Sequence, residues 1–418
     1  MNLFKTSFWS GLSTIIKLLA GIVTTKIMAI YIGPSGIGLL GNFNNIIGIF
    51  STFANGAIGV GTTKYISEFE RDKDKRSVTL HSLRITIFCS LIIGSIILLF
   101  HRSIASLIFG EVIYTAAIII IGITIIFFGL NTTITAVFNG YKNIKVMTVI
   151  GIVGNLISVI LAFIITINFG LFGALINASI AQICIFLLNI FAINKLKLID
   201  IKELKGKIDK VLTYNLFKYA LMSIVSALFV PTGTLFIRTY IINNFSLNEA
   251  GYVQAVWSIS SMYLLVITTT LSIYYLPTLS SLKKKSDLRN EILKGYKYLI
   301  PVAILSGVTI LLSRNLIINI LYTPDFLKMK EYFVFQIVGD TFKIASWILA
   351  YLMVAKAMTK LYIITEILFA VIYLTLAILF MNIFGSIGVT YAYATNYLLY
   401  LLTMLYLFRK TIFRKYLI

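Results

Sequence analysis

The chain has 418 residues, of which 59% are hydrophobic and 12% charged, with a mean hydropathy of +0.95. That is about half the charged fraction of an average soluble domain, which excludes a soluble globular enzyme. The net charge of +21 would suit a nucleic-acid binder in a soluble protein, but here the cations fall into short loops between apolar runs and read as a topology signal, with no nucleic-acid partner expected.

Apolar runs of roughly 20 residues, enough to cross a bilayer, recur along the whole length, so the chain reads as an all-α polytopic membrane protein. Twelve spans are expected, at about 8–31, 38–62, 84–100, 113–138, 147–168, 172–193, 216–241, 251–275, 298–318, 332–355, 361–383 and 387–408. The first run is too long for a cleaved signal peptide, and Lys17 and Lys26 interrupt its apolar core. Asn131-Thr132-Thr133 interrupts the fourth run and makes it the loosest of the set. The segment from Arg314 to Glu331 is the longest loop on its side and has room for a short amphipathic element. Cys89 and Cys184 lie inside apolar runs and are expected as buried thiols, with no disulfide and no metal site.

Most of the lysines and arginines alternate onto one side under this count, in the loops around Lys64–Arg84, Lys195–Lys218 and Lys283–Lys297 and in the tail from Arg409. The positive-inside rule places that side, and both termini, in the cytoplasm.

The chain also repeats. Asn2-Leu3-Phe4-Lys5 returns 213 residues later as Asn215-Leu216-Phe217-Lys218, and Gly38 returns as Gly251. Phe169-Gly170-x-x-Gly173 returns 215 residues later as Phe384-Gly385-x-x-Gly388, and Lys145 as Lys360. Six spans per half is an even number, so the halves insert in the same orientation as a parallel repeat. The expected organisation is a six-helix lobe at 1–194, a cytoplasmic inter-lobe loop at 195–214, and a second six-helix lobe at 215–418.

No phosphate-binding loop, HExxH or CxxC pair is present, and the external loops are too short for the catalytic loop of a polysaccharide polymerase, so no catalytic residue is expected. Candidate function rests on charges inside spans, each of which is costly in hydrocarbon and must face protein or a wet cavity. Lys17 and Lys26 lie on opposite faces of the first helix. Arg238 occupies the matching helix of the second half, one residue out of register with Lys26. Asp340 and Lys343 are three apart and in reach of one another on one helix. Glu366 has no cation at helical spacing. These groups either line a cationic cavity between the halves or form interhelical pairs. Asn42, Asn45, Thr52 and Asn55 form a polar stripe on the second span, continued on its counterpart by Gln254, Ser258 and Ser261. Such side chains suit sugar hydroxyls, and equally serve as helix–helix glue. Pro231 is expected to kink the seventh span.

Gly33-Pro34-Ser35-Gly36-Ile37-Gly38-Leu39 with Asn42-Phe43, Thr63-Lys64-Tyr65, Tyr275-Leu276-Pro277-Thr278-Leu279-Ser280, Gln336-x-Val338-Gly339-Asp340-x-x-Lys343 and Ala355-Lys356-Ala357, followed by Tyr362-Ile363 and Glu366, run in order along nearly the full chain. In this set the chain resembles the polysaccharide transporter family of the multidrug/oligosaccharidyl-lipid/polysaccharide exporter superfamily, in particular its O-antigen and enterobacterial-common-antigen translocases. The resemblance implies two six-helix lobes and an alternating-access flippase for undecaprenyl-pyrophosphate-linked oligosaccharides in the bacterial inner membrane. Lys26, Arg238, Asp340, Lys343 and Glu366 lie at positions that look similarly charged in that family, and Lys17 fits too; with the polar stripe, this gives Lys17, Lys26, Arg238 and Lys343 as expected pyrophosphate contacts, Asn42, Asn45, Asn55 and Gln254 as expected sugar contacts, and Glu366 or Asp340 as the expected carrier of a coupling proton or sodium ion. Expected partners are the lipid-linked oligosaccharide, membrane lipids, a polysaccharide polymerase and a chain-length regulator, with no other cofactor and no metal. A multidrug exporter of the same superfamily is the alternative. The intramembrane cations outnumber the acids, which favours an anionic substrate.

Overall fold

The structure is a computed structural model that describes residues 3–110, 112–196, 198, 210–356 and 358–412. Most of the expected 195–214 loop lies outside the described residues. The regular elements among them are helices: α1 (Leu3–Tyr31), α2 (Gly33–Ala54), α3 (Gly59–Glu68), α4 (Asp72–Leu99), α5 (His101–Phe109), α6 (Thr115–Gly140), α7 (Ile144–Lys195), α8 (Lys210–Asn244), α9 (Leu247–Thr270), α10 (Leu276–Ser281), α11 (Lys285–Leu312), α12 (Arg314–Leu321), α13 (Phe333–Ala355), α14 (Thr359–Phe384), α15 (Gly388–Leu407) and α16 (Arg409–Ile412). A π-helical turn, Leu271–Tyr275, joins α9 to α10, and a 3₁₀ stretch, Pro324–Tyr332, precedes α13.

Ten helices among the described residues are long and apolar enough to cross a membrane. One of them, α7, runs for 52 residues and is two helices broken at Gly170, whose φ is +54°. With that break and the less apolar α15, the helices accommodate the twelve expected spans.

Contacts divide the chain into two compact units: Met1–Ile32 with Leu39–Thr232, and Gly33–Gly38 with Gly233–Ile418. The division falls within α2 and α8 and not in the 195–214 loop.

Several boundaries differ from the expected ones for physical reasons. The second span stops at Ala54, because Gly56 and Ala57 both take positive φ, and the chain resumes as α3. Asn55 is therefore the C-cap of α2, not a member of its stripe. The third span starts twelve residues early: Asp72–Arg84 was expected in a loop but continues the helix. The fourth span is not interrupted. α6 runs unbroken through Asn131, whose side chain is used sideways and does not compete for its own backbone. The segment expected to hold an amphipathic element supplies α12 and the 3₁₀ stretch.

In the first unit, small residues bring backbones together, as expected where no hydrophobic effect drives helices together in lipid. A Cβ on Gly94 of α4 would stand 2.7 Å from the Gly122 carbonyl oxygen of α6. Neutral polar contacts then fasten the helices. The Thr86 and Thr133 hydroxyls meet at 2.7 Å, and those of Thr62 and Ser82 at 2.8 Å. The Asn131 amide donates to the Gln182 side chain at 2.8 Å and to its carbonyl at 2.9 Å, and accepts from Asn189 at 2.8 Å.

The second unit packs its core on α13. Ile344, Ile348, Leu349, Leu352 and Met353 meet Leu264 and Leu271 of the α9 region and Tyr400 and Met404 of α15.

Candidate functional site

Three helices of the second unit aim polar side chains at one point. On α13, Gln336, Asp340, Lys343 and Trp347 recur at intervals of four, three and four, one face of a helix. On α15, Tyr393, Tyr397 and Tyr400 recur in the same way. On α9, Ser260 and Tyr263 are three apart. The approach of α15 to α13 depends on Gly339: a Cβ there would stand 2.4 Å from the Tyr393 ring and 3.1 Å from the Ala394 Cα. Without that Cβ, the Tyr393 ring packs closely against Gly339 and its hydroxyl reaches the neighbouring Asp340.

Asp340 is fully buried. Its Oδ2 accepts from Ser260 Oγ and from the Tyr263 hydroxyl, both at 2.6 Å, and its Oδ1 accepts from the Tyr393 hydroxyl at 2.7 Å. Gln336 Nε2 stands 3.4 Å from Oδ1. Three hydroxyl donors on one buried carboxylate replace most of the hydration it loses.

The expected direct pair between Asp340 and Lys343 does not form: the Lys343 ammonium nitrogen is not within 4.0 Å of either Asp340 carboxylate oxygen. Tyr393 stands between them, accepting from Lys343 Nζ at 3.2 Å while donating to Asp340. The ammonium also lies 4.9 Å from the Trp347 ring centroid, 5.1 Å from that of Tyr397 and 5.5 Å from that of Tyr393, an aromatic cage that favours a cation. Half-buried Glu366, on α14, is within electrostatic reach of Lys343.

Arg238 belongs to the same unit. It is 1% exposed, and its Nη2 donates to Gln254 Oε1 at 2.6 Å while the guanidinium lies 5.4 Å from the Trp257 ring. Gln254 in turn donates to Ser258 Oγ at 3.2 Å. Tyr373 links the two groups: it lies within electrostatic reach of Arg238, and its ring meets that of Tyr393 edge-on at 5.9 Å. The second unit thus gathers Arg238, Asp340, Lys343 and Glu366, two charges of each sign, among tyrosines and tryptophans. Tyr393 is the hydroxyl shared between the buried carboxylate of Asp340 and the caged ammonium of Lys343. Among the described residues, no group of three or more His, Cys, Asp or Glu side chains is placed to hold a metal ion.

The remaining expected residues belong to the first unit. Lys17 is exposed on α1 and Lys26 half-buried. Asn42 is fully buried and donates to the Ile108 carbonyl at 3.3 Å, so its amide ties α2 to α5. Asn45 donates to the carbonyl of Pro231 at 3.3 Å, and α8 continues through that proline. Asn55 is buried at the end of α2.

Sequence reasoning missed Ser260, Tyr263, Trp347, Tyr393 and Tyr397. The signal available was the spacing of Tyr393, Tyr397 and Tyr400, which sets a stripe of polar-tipped aromatic side chains on one face of α15.

Residues 3–283 match a family described as polysaccharide biosynthesis protein. The chain is 29% identical over 402 residues to the lipid III flippases of Escherichia coli (strain K12) and Shigella flexneri, covering 96% of this chain and 96% of each of theirs. Among solved structures, an inward-facing multidrug resistance MATE transporter of the MOP superfamily superposes with a TM-score of 0.80 at 16% identity, over 96% of this chain and 95% of that one. The lipid II flippase MurJ in an inward closed conformation superposes with a TM-score of 0.75 at 15% identity, over 97% and 87%. These structural likenesses establish a shared fold.

Proposed function

From the premise that the chain belongs to the polysaccharide biosynthesis protein family and crosses the membrane several times, we propose that it is a flippase for lipid-linked oligosaccharides. The substrate in this reading is an undecaprenyl-pyrophosphate-linked repeat unit of O-antigen or a related surface polysaccharide, moved from the cytoplasmic to the outer leaflet of the bacterial inner membrane by alternating access. The observation that carries the reading is the match to the lipid III flippase of Escherichia coli along 96% of both chains. Its named relatives of this length are flippases and not enzymes.

Physical chemistry supports the assignment. A pyrophosphate and several sugars cannot cross hydrocarbon unaided. Arg238 is held by a neutral amide oxygen, a weaker acceptor than a phosphate oxygen, so an arriving pyrophosphate is able to displace Gln254 and take a bidentate contact. Lys17 and Lys26, on opposite faces of α1, are further candidate cations for phosphate oxygens, and Asn45 and Gln254 remain amides for sugar hydroxyls. Asp340, with its three hydroxyl donors, and Glu366, beside Lys343, are the carboxylates for a coupling proton or sodium ion.

Deleting the gene in its own host tests this reading. Surface polysaccharide should fall and undecaprenyl-linked repeat units should accumulate facing the cytoplasm. Arg238→Ala should behave as the deletion, with partial recovery in Arg238→Lys at equal protein level. Unchanged surface polysaccharide together with new sensitivity to cationic drugs would replace the flippase by the drug exporter that the fold also allows.

A further inference from the structure

The α9 helix has two faces in different company. On one, Val256, Ile259, Ser260 and Leu264 are buried, and Ser260 is turned to Asp340. On the other, Gln254, Trp257, Ser258 and Ser261 share an arc of about 100° at 100° per residue. Ser261 is exposed and the other three are half-buried. Gln254 and the two serines form the expected polar stripe, and Trp257 stands in the middle of it.

Depth excludes the ordinary reasons for a tryptophan here. Trp257 is ten residues from the start of α9 at Leu247 and thirteen from its end at Thr270, about 15 Å and about 20 Å at 1.5 Å per residue. It therefore sits near the middle of a span of about 30 Å and not in an interfacial aromatic belt. Faces turned to lipid are aliphatic in this unit; on α14 the exposed residues include Ile364, Leu368 and Val371. An amide, two hydroxyls and an indole on an accessible face at this depth fit water or a polar ligand instead. The repeat does not require the ring either. The position 213 residues earlier is Asn44, exposed on α2.

The surroundings of the indole define what it can hold. The Arg238 guanidinium lies 5.4 Å from the ring centroid, which engages one face of the indole and leaves the other. Among the described residues the indole N–H has no acceptor. A cationic ligand on this ring would stand beside Arg238 and be repelled. A pyranose suits it. The C–H groups of a sugar carry partial positive charge and lie well against the negative face of an aromatic ring. Its hydroxyls find an amide and two hydroxyls beside that ring, on Gln254, Ser258 and Ser261. Arg238 fixes which sugar. With the pyrophosphate on the guanidinium, the sugar that reaches Trp257 is the one bonded to the pyrophosphate, a single oxygen away.

We propose that Trp257 is the platform on which the first sugar of the lipid-linked oligosaccharide stacks. This rests on the flippase reading and names a subsite within it. The test compares undecaprenyl pyrophosphate, bare or carrying one N-acetylglucosamine or one galactose, on the full-length protein in neutral detergent. Dissociation constants are read by native mass spectrometry for the wild type, Trp257→Leu, which keeps an apolar side chain without a ring, and Trp257→Tyr, which restores a ring.

The wild type should bind at least one glycosylated lipid at least fivefold more tightly than the bare lipid. Trp257→Leu should bind the two alike, with its affinity for the bare lipid within about twofold of the wild type, and Trp257→Tyr should regain a preference of at least twofold. Should Trp257→Leu fail to fold, Trp257→Met carries the same comparison. Equal binding of bare and glycosylated lipids by the wild type, an unchanged preference in Trp257→Leu, or a tyrosine variant no better than leucine overturns the proposal and leaves the flippase reading standing. Binding of none of these lipids by the wild type overturns the flippase reading, and the subsite falls with it.

Discussion

The two units solve one problem, polar groups inside a membrane, in two ways. The first fastens α4, α6 and α7 with amides and hydroxyls, such as Asn131 with Gln182 and Asn189, and Thr86 with Thr133. The second buries ionisable groups and spreads their charge over hydroxyls and rings, with Asp340 and Lys343 joined through Tyr393. Shifting Asp340 by the repeat spacing of 213–215 residues lands on Ile125, Ile126 and Phe127, so the first half has no acid there.

Backbone geometry recurs where chemistry does not. Gly170 and Gly385 both take positive φ, at +54° and +72°. The glycines three residues after each pack so tightly that a Cβ would stand 2.3 Å from a carbonyl of the preceding helix. The comparison teaches that the two Phe-Gly-x-x-Gly turns share a backbone that only glycine allows, while the interior side chains of the two units differ, a neutral clamp in one and a charged group in the other.

Substitutions on either side should separate the two solutions. Asp340→Ala strands the hydroxyls of Ser260, Tyr263 and Tyr393 and leaves Lys343 facing no acid through Tyr393. Leaving a buried donor without its acceptor costs about 1–3 kcal/mol for each group, and with three hydroxyls stranded thermal unfolding in detergent should show the largest fall of the series. Gly339→Ala comes next. Its methyl group has to displace the Tyr393 ring, at about 1–3 kcal/mol, and because the two residues share one space, Gly339→Ala/Tyr393→Ala should lose less than the sum of its single variants. In the first unit, Asn131→Leu breaks a neutral clamp. Interhelical hydrogen bonds in membranes contribute about 0.6 kcal/mol on average and about 1.7 at most, so a small thermal shift with near wild-type surface polysaccharide is expected. Thr86→Val should be smaller still, below about 1 kcal/mol. A loss of transport in Asn131→Leu as deep as in Asp340→Ala, at matched protein level, would erase the distinction between the units.

Much of this was legible in the sequence, for reasons that also mark its limit. Spans follow from runs of roughly 20 apolar residues, and the two Phe-Gly-x-x-Gly turns are local, so a constant shift reveals them. The charges at Arg238, Asp340, Lys343 and Glu366 stand out against an apolar background. Their partners do not. Ser260 and Tyr263 lie 80 and 77 residues from Asp340, and Tyr393 lies 53 away. Helical spacing alone offered Lys343 as the partner and could not reveal a tyrosine from another helix between them. Asn131 was misread because a polar residue in an apolar run looks the same whether it ends a helix or ties it to a neighbour. The stripe on α2 mixed Asn42 and Asn45 with Asn55, which falls beyond a break set by positive φ at Gly56 and Ala57.

The central claim is that transport of a lipid-linked oligosaccharide depends on the ionisable group of the second unit. Its most direct test is translocation of an undecaprenyl-pyrophosphate-linked oligosaccharide in proteoliposomes holding the wild type, Asp340→Asn or Asn131→Leu at equal protein content. The account predicts movement of the oligosaccharide by the wild type, a rate within about twofold of it for Asn131→Leu, and at least a tenfold loss for Asp340→Asn, which keeps the shape of the side chain and removes its charge. Wild-type translocation by Asp340→Asn would contradict it.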